Sequence, residues 1–208
     1  SLENIVVKLI KKFPFETAII LIVLITHCYV IFCPPNSLMS WFATDDVFYY
    51  FKTAQNIAEG YGSTFDRIGL TNGYHPLWML ICVPIFSLAK SDPILPLRIV
   101  IAVLALFHAL TACLFYRLFK KIASTTTAVV VGLFWAFFPG VHSITVQFAM
   151  ETGVQAFFVA LFLNLATNWE SDEKASSREK IIGLISLSIA AVLVLFSRLD
   201  SMFMLFIF

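Results

Sequence analysis

The chain has 208 residues, of which 60% are hydrophobic, 13% are charged and 22 are phenylalanine, with a formal net charge of +1. Its mean hydropathy of +0.89 lies far outside the range of soluble domains and excludes a water-soluble globular enzyme. A near-neutral balance, with no basic stretch interleaved by aromatics, also excludes nucleic acid as a partner.

Several apolar stretches approach the roughly 18–20 residues that cross a ~30 Å hydrocarbon core. The sequence therefore predicts an all-α integral membrane protein, a polytopic helical bundle in a lipid bilayer. Lys8, Lys11 and Lys12 precede the first apolar stretch, which carries no small-residue cleavage site and reads as a retained span over about 17–33, closed by Pro34-Pro35. An outer loop over 34–93 follows, with two interfacial helices. The first is expected over 45–59, where Val47, Tyr50, Phe51, Ala54, Ile57 and Ala58 recur at helical spacing while Lys52, Gln55, Asn56 and Glu59 face away. Gly60 supplies its C-terminal cap. The second covers about His75 to Lys90, too short for a span and broken by Pro84, with Tyr74 and Trp78 at headgroup level.

Further spans are expected over about 94–118, 123–141, 152–169 and 181–196, with a sixth starting after Asp200. Lys8, Lys11 and Lys12, then Arg117, Lys120 and Lys121, then Lys174, Arg178 and Lys180 mark alternate loops as cytoplasmic, and the 141–151 loop has no Lys or Arg. The N-terminus is thus expected inside. Asp45, Asp46, His75, His142, Glu151, Arg198 and Asp200 all fall on the outer side. Cys28, Cys33, Cys82 and Cys113 lack metal-ligand spacing and read as free thiols, a Cys33–Cys82 bridge being the alternative. The chain ends inside the apolar run from Met202 to Phe208, so 1–208 is read as one transmembrane domain of a longer protein.

Two polar clusters interrupt the apolar chain: Thr44-Asp45-Asp46-Val47-Phe48-Tyr49-Tyr50 and, after Gly60-Tyr61-Gly62, Thr71-Asn72-Gly73-Tyr74-His75-Pro76-Leu77-Trp78. Thr44 with two first-turn carboxylates suits an ordinary helix N-terminus. Paired carboxylates also suit activation of a hydroxyl, because one can raise the pKa of the other toward working pH. His75 precedes a proline and so sits on extended backbone, either as a structural histidine or as a donor to a phosphate or sugar. Asn72-Gly73 signals a turn. Glu151 at the membrane border is costly unless it faces the bundle interior. Arg198 and Asp200 form a mutual ion pair at a helix end, or Arg198 takes a phosphate bidentately. His108, mid-span, reads as a packed histidine.

With Met150-Glu151-Thr152-Gly153 and Ser197-Arg198-Leu199-Asp200, these motifs resemble, over about 44–200, the GT-C superfamily of polytopic glycosyltransferases, in particular bacterial members with Asp-Asp and Asn-Gly-x-His-Pro-Leu-Trp patterns. The resemblance implies a polyprenyl-phosphate-linked sugar as donor, a lipid, glycan or protein hydroxyl as acceptor, and inverting transfer at the outer face. It implies Asp45 as the base, with Asp46 as orienter or as a ligand of Mg2+ or Mn2+, metal dependence being left open. His75, Asn72, Tyr74, Glu151, Arg198 and Asp200 would contact substrate. A transporter is the rival class, marked by a polar path through the bundle; a scaffolding membrane protein would leave the outer motifs unexplained.

Overall fold

The computed structural model describes residues 8, 11–42, 45–89, 92–171 and 176–207, leaving Thr44, Lys90, Lys174 and Phe208 of the expectations above outside the described residues. Among the described residues ten α-helices are delimited in order: α1 (Pro14–Phe32), α2 (Pro35–Trp41), α3 (Asp45–Ala58), α4 (Pro76–Leu88), α5 (Leu95–Ile122), α6 (Thr125–Phe137), α7 (Pro139–His142), α8 (Thr152–Ser171), α9 (Ser177–Ser197) and α10 (Met202–Leu205). A π-helical turn, Ser143–Gln147, extends α7, and a 3-10 turn, Leu199–Ser201, follows α9. Among the described residues the only β pairing is a single bridge between Thr64 and Leu70.

Local chemistry fixes most ends. Asp92 Oδ1 accepts from the amides of Ile94 and Leu95 and leads into α5, whose first turn holds Pro96 where no amide is needed. Ser124 caps α6 by accepting from Thr127, and Ser176 with Glu179 forms a capping box on α9. Gly60, at φ +90, closes α3 in the left-handed region: its amide reaches Ile57 O and that of Tyr61 reaches Asn56 O. His75 is extended at ψ 123 before Pro76, as its sequence context requires.

Among the described residues two helices, α5 and α9, are long and apolar enough to cross a membrane. A third span results if α6 and the segment Pro139–Gln147, bent by 54° at Pro139, act as one. This count is smaller than the sequence suggested. Helix α1, with 19 residues, is close to span length, and α8 is not among the candidates. The polar residues Gln155, Asn164 and Asn168 dilute the apolar run of α8. With 13 residues, α4 is about 20 Å long, short of the ~30 Å core as expected.

Helix α5 is the hub, packed against α1, α6 and α8, while α9 packs on α8 and α4 on α3. One core cluster joins Leu38, Val47, Trp78, Cys82, Leu104 and Val146, tying α2, α3 and α4 to the first half of α5 and to the π-turn. A second joins Ile19, Val23, Ala109, Ala112 and Ala136 along α1, α5 and α6. Helix α4 is thus built into the fold, with Trp78 and Cys82 fully buried. Cys33, Cys82 and Cys113 are buried free thiols, whereas Cys28 is exposed.

Candidate functional site

Four separated segments converge on Glu151. It lies between the π-turn and α8, and is only 4% exposed. Close packing holds it there: Gly153 sits so near Thr145 that an added Cβ would lie 2.2 Å from the Thr145 carbonyl oxygen. His75 Nε2 approaches Glu151 Oε1 at 3.6 Å, and Arg198 Nη1 approaches the same oxygen at 3.7 Å. Both distances exceed hydrogen-bond length, so these are close ionic approaches. Glu151 Oε2 and His75 Nδ1 are buried with no hydrogen-bond partner. Such orphaned polar atoms are uncommon and call for an explanation.

Tyr50 completes the group from α3. Its hydroxyl oxygen accepts the His75 amide at 3.1 Å, which leaves the phenolic proton to donate. Burial, reinforced by the Glu151 carboxylate, pushes the Tyr50 phenol well up from its ordinary range, so it stays neutral. Arg198 binds Asp200 through two contacts, Nε to Oδ1 at 3.2 Å and Nη2 to Oδ2 at 2.9 Å. Hydrogen bonding within this fork holds the Asp200 carboxyl below, and the Arg198 guanidinium above, their ordinary values. The mutual ion pair foreseen at the end of α9 is therefore present, and the same guanidinium also faces Glu151.

The loop before His75 is tightly laced. Tyr49 pairs with Thr71, and Ser63 joins the Thr71 carbonyl to the Tyr74 hydroxyl. Asn56, expected to face away, is fully buried. Its amide bridges the carbonyls of Thr64 and Phe65 and accepts from Arg67, because the returning loop covers that side of α3. Tyr74 thereby serves the loop, and exposed Asn72 makes a turn through its carbonyl to the Tyr74 amide.

Asp45 and Asp46 are exposed in the first turn of α3 and form no hydrogen bond or ion pair with other described residues. The structure thus gathers His75, Glu151, Arg198 and Asp200, adds Tyr50, and leaves the Asp pair outside that polar cluster. Helix periodicity separates the two acids: Asp46 shares a face with Tyr50 (i, i+4), whereas Asp45 aligns with Phe48 and Lys52. Phe48 and Lys52, with Phe51, Phe86 and Leu97, line a largely apolar groove of about 570 Å³. No group of three or more His, Cys, Asp or Glu among the described residues is placed to hold a metal ion. An Asp45-Asp46 metal site would need further ligands from outside the pair.

Three histidines form a second polar group that sequence reasoning missed. His27 Nδ1 donates to the Val23 carbonyl at 2.7 Å, and its Nε2 meets His142 Nε2 at 2.9 Å. His108 lies between the Ala136 carbonyl and the Thr145 hydroxyl, with its ring 5.8 Å from that of His142. His142 thus associates with His27 and His108 rather than with the Glu151 group. The spacing of His27 and His108 on apolar helices gave no sign of this meeting, which depends on α1 and α5 packing side by side. No family model, curated protein or solved structure matches the chain.

Proposed function

We propose that the protein is a polytopic membrane glycosyltransferase of the GT-C type, in which α1 and α8 also cross the bilayer. It transfers a sugar from a polyprenyl-phosphate donor to an acceptor hydroxyl at the outer face, with inversion. The observation that carries this reading is the convergence of Tyr50, His75, Glu151 and Arg198, with a buried carboxylate oxygen left unpartnered. The apolar groove lined by Phe48, Phe51, Phe86 and Leu97 suits a lipid chain.

In this reading Asp45 takes the proton of the acceptor hydroxyl, and the resulting oxygen attacks the anomeric carbon. The bond from that carbon to the phosphate oxygen breaks, and the polyprenyl phosphate leaves with the electron pair. Arg198 draws off the developing charge while Asp200 holds the guanidinium in place. His75 and the neutral Tyr50 phenol donate to sugar hydroxyls across from Glu151. A single displacement needs no covalent enzyme intermediate.

Purified protein incubated with a panel of polyprenyl-phosphate sugars tests the reading. Transfer of one sugar is expected, and Asp45→Asn should lower kcat about 100- to 10,000-fold while donor binding persists. Near-wild-type transfer by Asp45→Asn removes the base assignment and points to Asp46, on the Tyr50 face.

A second reading, proton-coupled transport, draws on the His27–His142–His108 group, since buried ionisable residues inside a bundle mark ion paths. Proteoliposomes that acidify on substrate uptake, with no sugar transferred in the panel, would favour it.

A further inference from the structure

At the end of α5 remote from α3 and α4, the start of α1 and the last turns of α5 enclose a cavity of about 390 Å³. Lys12 lines it from one side and Arg117, Lys120 and Lys121 from the other, with Glu16 as the one carboxylate among the described residues that line it. Four cations against one acid leave a formal surplus of +3. The first turn of α1 adds the positive end of its dipole. Positive loops and dipole compensation account for cations at such an end. They do not account for the concavity, nor for cations from segments about a hundred residues apart facing one space.

The cations are also poorly matched by protein anions. Glu16 is 8% exposed and accepts from Arg117 Nε at 3.0 Å, so that carboxylate is already used by one nitrogen. Lys12 lies over the Phe13 ring at 5.2 Å, and Lys120 reaches the Tyr116 hydroxyl at 3.4 Å. Arg117 is also stacked over Phe13, at 4.9 Å. These contacts, with that of Lys121 to the Asn168 amide oxygen, orient the side chains, and among the described residues only Glu16 offsets their charge. Phe13, Phe15 and Tyr116 form its apolar wall.

We infer that this cavity binds the phosphate group of an anionic phospholipid. A guanidinium held through Nε keeps its outer nitrogens for phosphate oxygens, and lysines supply point charges around it. Lipid is favoured over a soluble phosphate because the cavity opens beside α1, whose Leu21, Ile22 and Ile25 are exposed apolar residues able to meet acyl chains. Basic pockets between membrane helices recognise lipid headgroups by this chemistry.

The test uses the whole protein in nanodiscs of phosphatidylcholine with rising phosphatidylglycerol, followed by native mass spectrometry and thermal unfolding. Wild type should retain phosphatidylglycerol and melt higher as its fraction rises. The exposed-lysine variant Lys12→Gln/Lys120→Gln/Lys121→Gln should bind it at least about tenfold more weakly. Lys11→Gln, which removes a nearby charge outside the cavity, should bind like wild type. An equal loss in Lys11→Gln would mean diffuse attraction and overturn the site, as would retention by the triple variant or no lipid preference in wild type. Added inorganic phosphate should not displace the lipid at comparable concentration; displacement would replace the lipid by a soluble phosphate ligand.

Discussion

Two buried carboxylates, Glu16 and Glu151, each face an arginine from a distant helix, yet the two ends of the molecule treat them differently. Glu16 accepts a 3.0 Å hydrogen bond from Arg117, whose side chain is 46% exposed. Glu151 is approached at 3.6 and 3.7 Å by His75 and Arg198 on one oxygen, and its other oxygen is orphaned. An unpaired buried polar atom costs about 1–3 kcal/mol. A closed pair serves to hold helices together. In the proposed reading, the open one is kept at that cost for a ligand.

The largest way to disturb this contrast is through packing. Gly153→Ala would force a Cβ to 2.2 Å from the Thr145 carbonyl, a backbone atom that cannot swing aside. It should cost about 3 kcal/mol and displace Glu151 from Arg198. At the other end, a Cβ on Gly132 would meet the Phe15 ring at 3.3 Å, a gap that a small ring shift can open. Gly132→Ala should therefore change stability much less, read as thermal unfolding of the two variants in one detergent. Equal midpoints would show that the segment around Glu151 is not held by this contact.

Charge removal sharpens the contrast further. Glu151→Gln should leave unfolding nearly unchanged, because His75 and Arg198 stay beyond hydrogen-bond length from its carboxylate. Loss of the focus for His75 and Arg198 should lower sugar transfer by about 100-fold. Glu16→Gln should do the reverse, costing about 1–2 kcal/mol of stability through loss of the charge-assisted bond while sparing the turnover of folded protein. The pair of assays, transfer rate and unfolding midpoint, should separate the two variants in opposite directions. Matching profiles would remove the distinction.

How legible each end was follows from how local its causes are. Helix α3, its Gly60 cap and the extended His75 depend on neighbours within a few residues, and the apolar spacing around Tyr50 reports its buried face. The acids and bases near Glu151 could be named because each is conspicuous in an apolar chain. Their meeting could not, since it needs α3, α4, α8 and α9 in place, and Tyr50 hides among the aromatics of α3. Asn56 reads as a surface residue until the 60–74 loop folds back over it. The basic cavity escaped for a similar reason: Glu16 and Arg117 are 101 residues apart, and neither segment alone combines aromatics with enough cations. The expected span at α8 is the most diluted by polar residues, and there Asn164 is satisfied inside the fold by the Leu114 and Ala160 carbonyls.

The smallest expected effect concerns acid. Asp66 is exposed at the tip of the loop that leads to His75, and its Oδ1 accepts from the amides of Ile68 and Gly69 at 2.9 and 3.0 Å. Those amides, with Thr64 adding to them, hold its carboxyl below the ordinary range. Since the folded value is depressed, this contribution is complete above the unfolded value of about 4 and is lost as pH falls through the folded one. Lowering pH from about 5 to about 3 should reduce the protection of the Ile68 and Gly69 amides, read as exchange relative to the intrinsic rate at each pH. Asp66→Asn, which keeps an acceptor but no titrating group, should flatten that response. The Arg117–Glu16 end shares no contact with this loop, so exchange in the first turn of α1 should not follow the Asp66→Asn change. If it did, the two ends would be coupled, and the contrast between a closed and an open carboxylate would have to be read as one system.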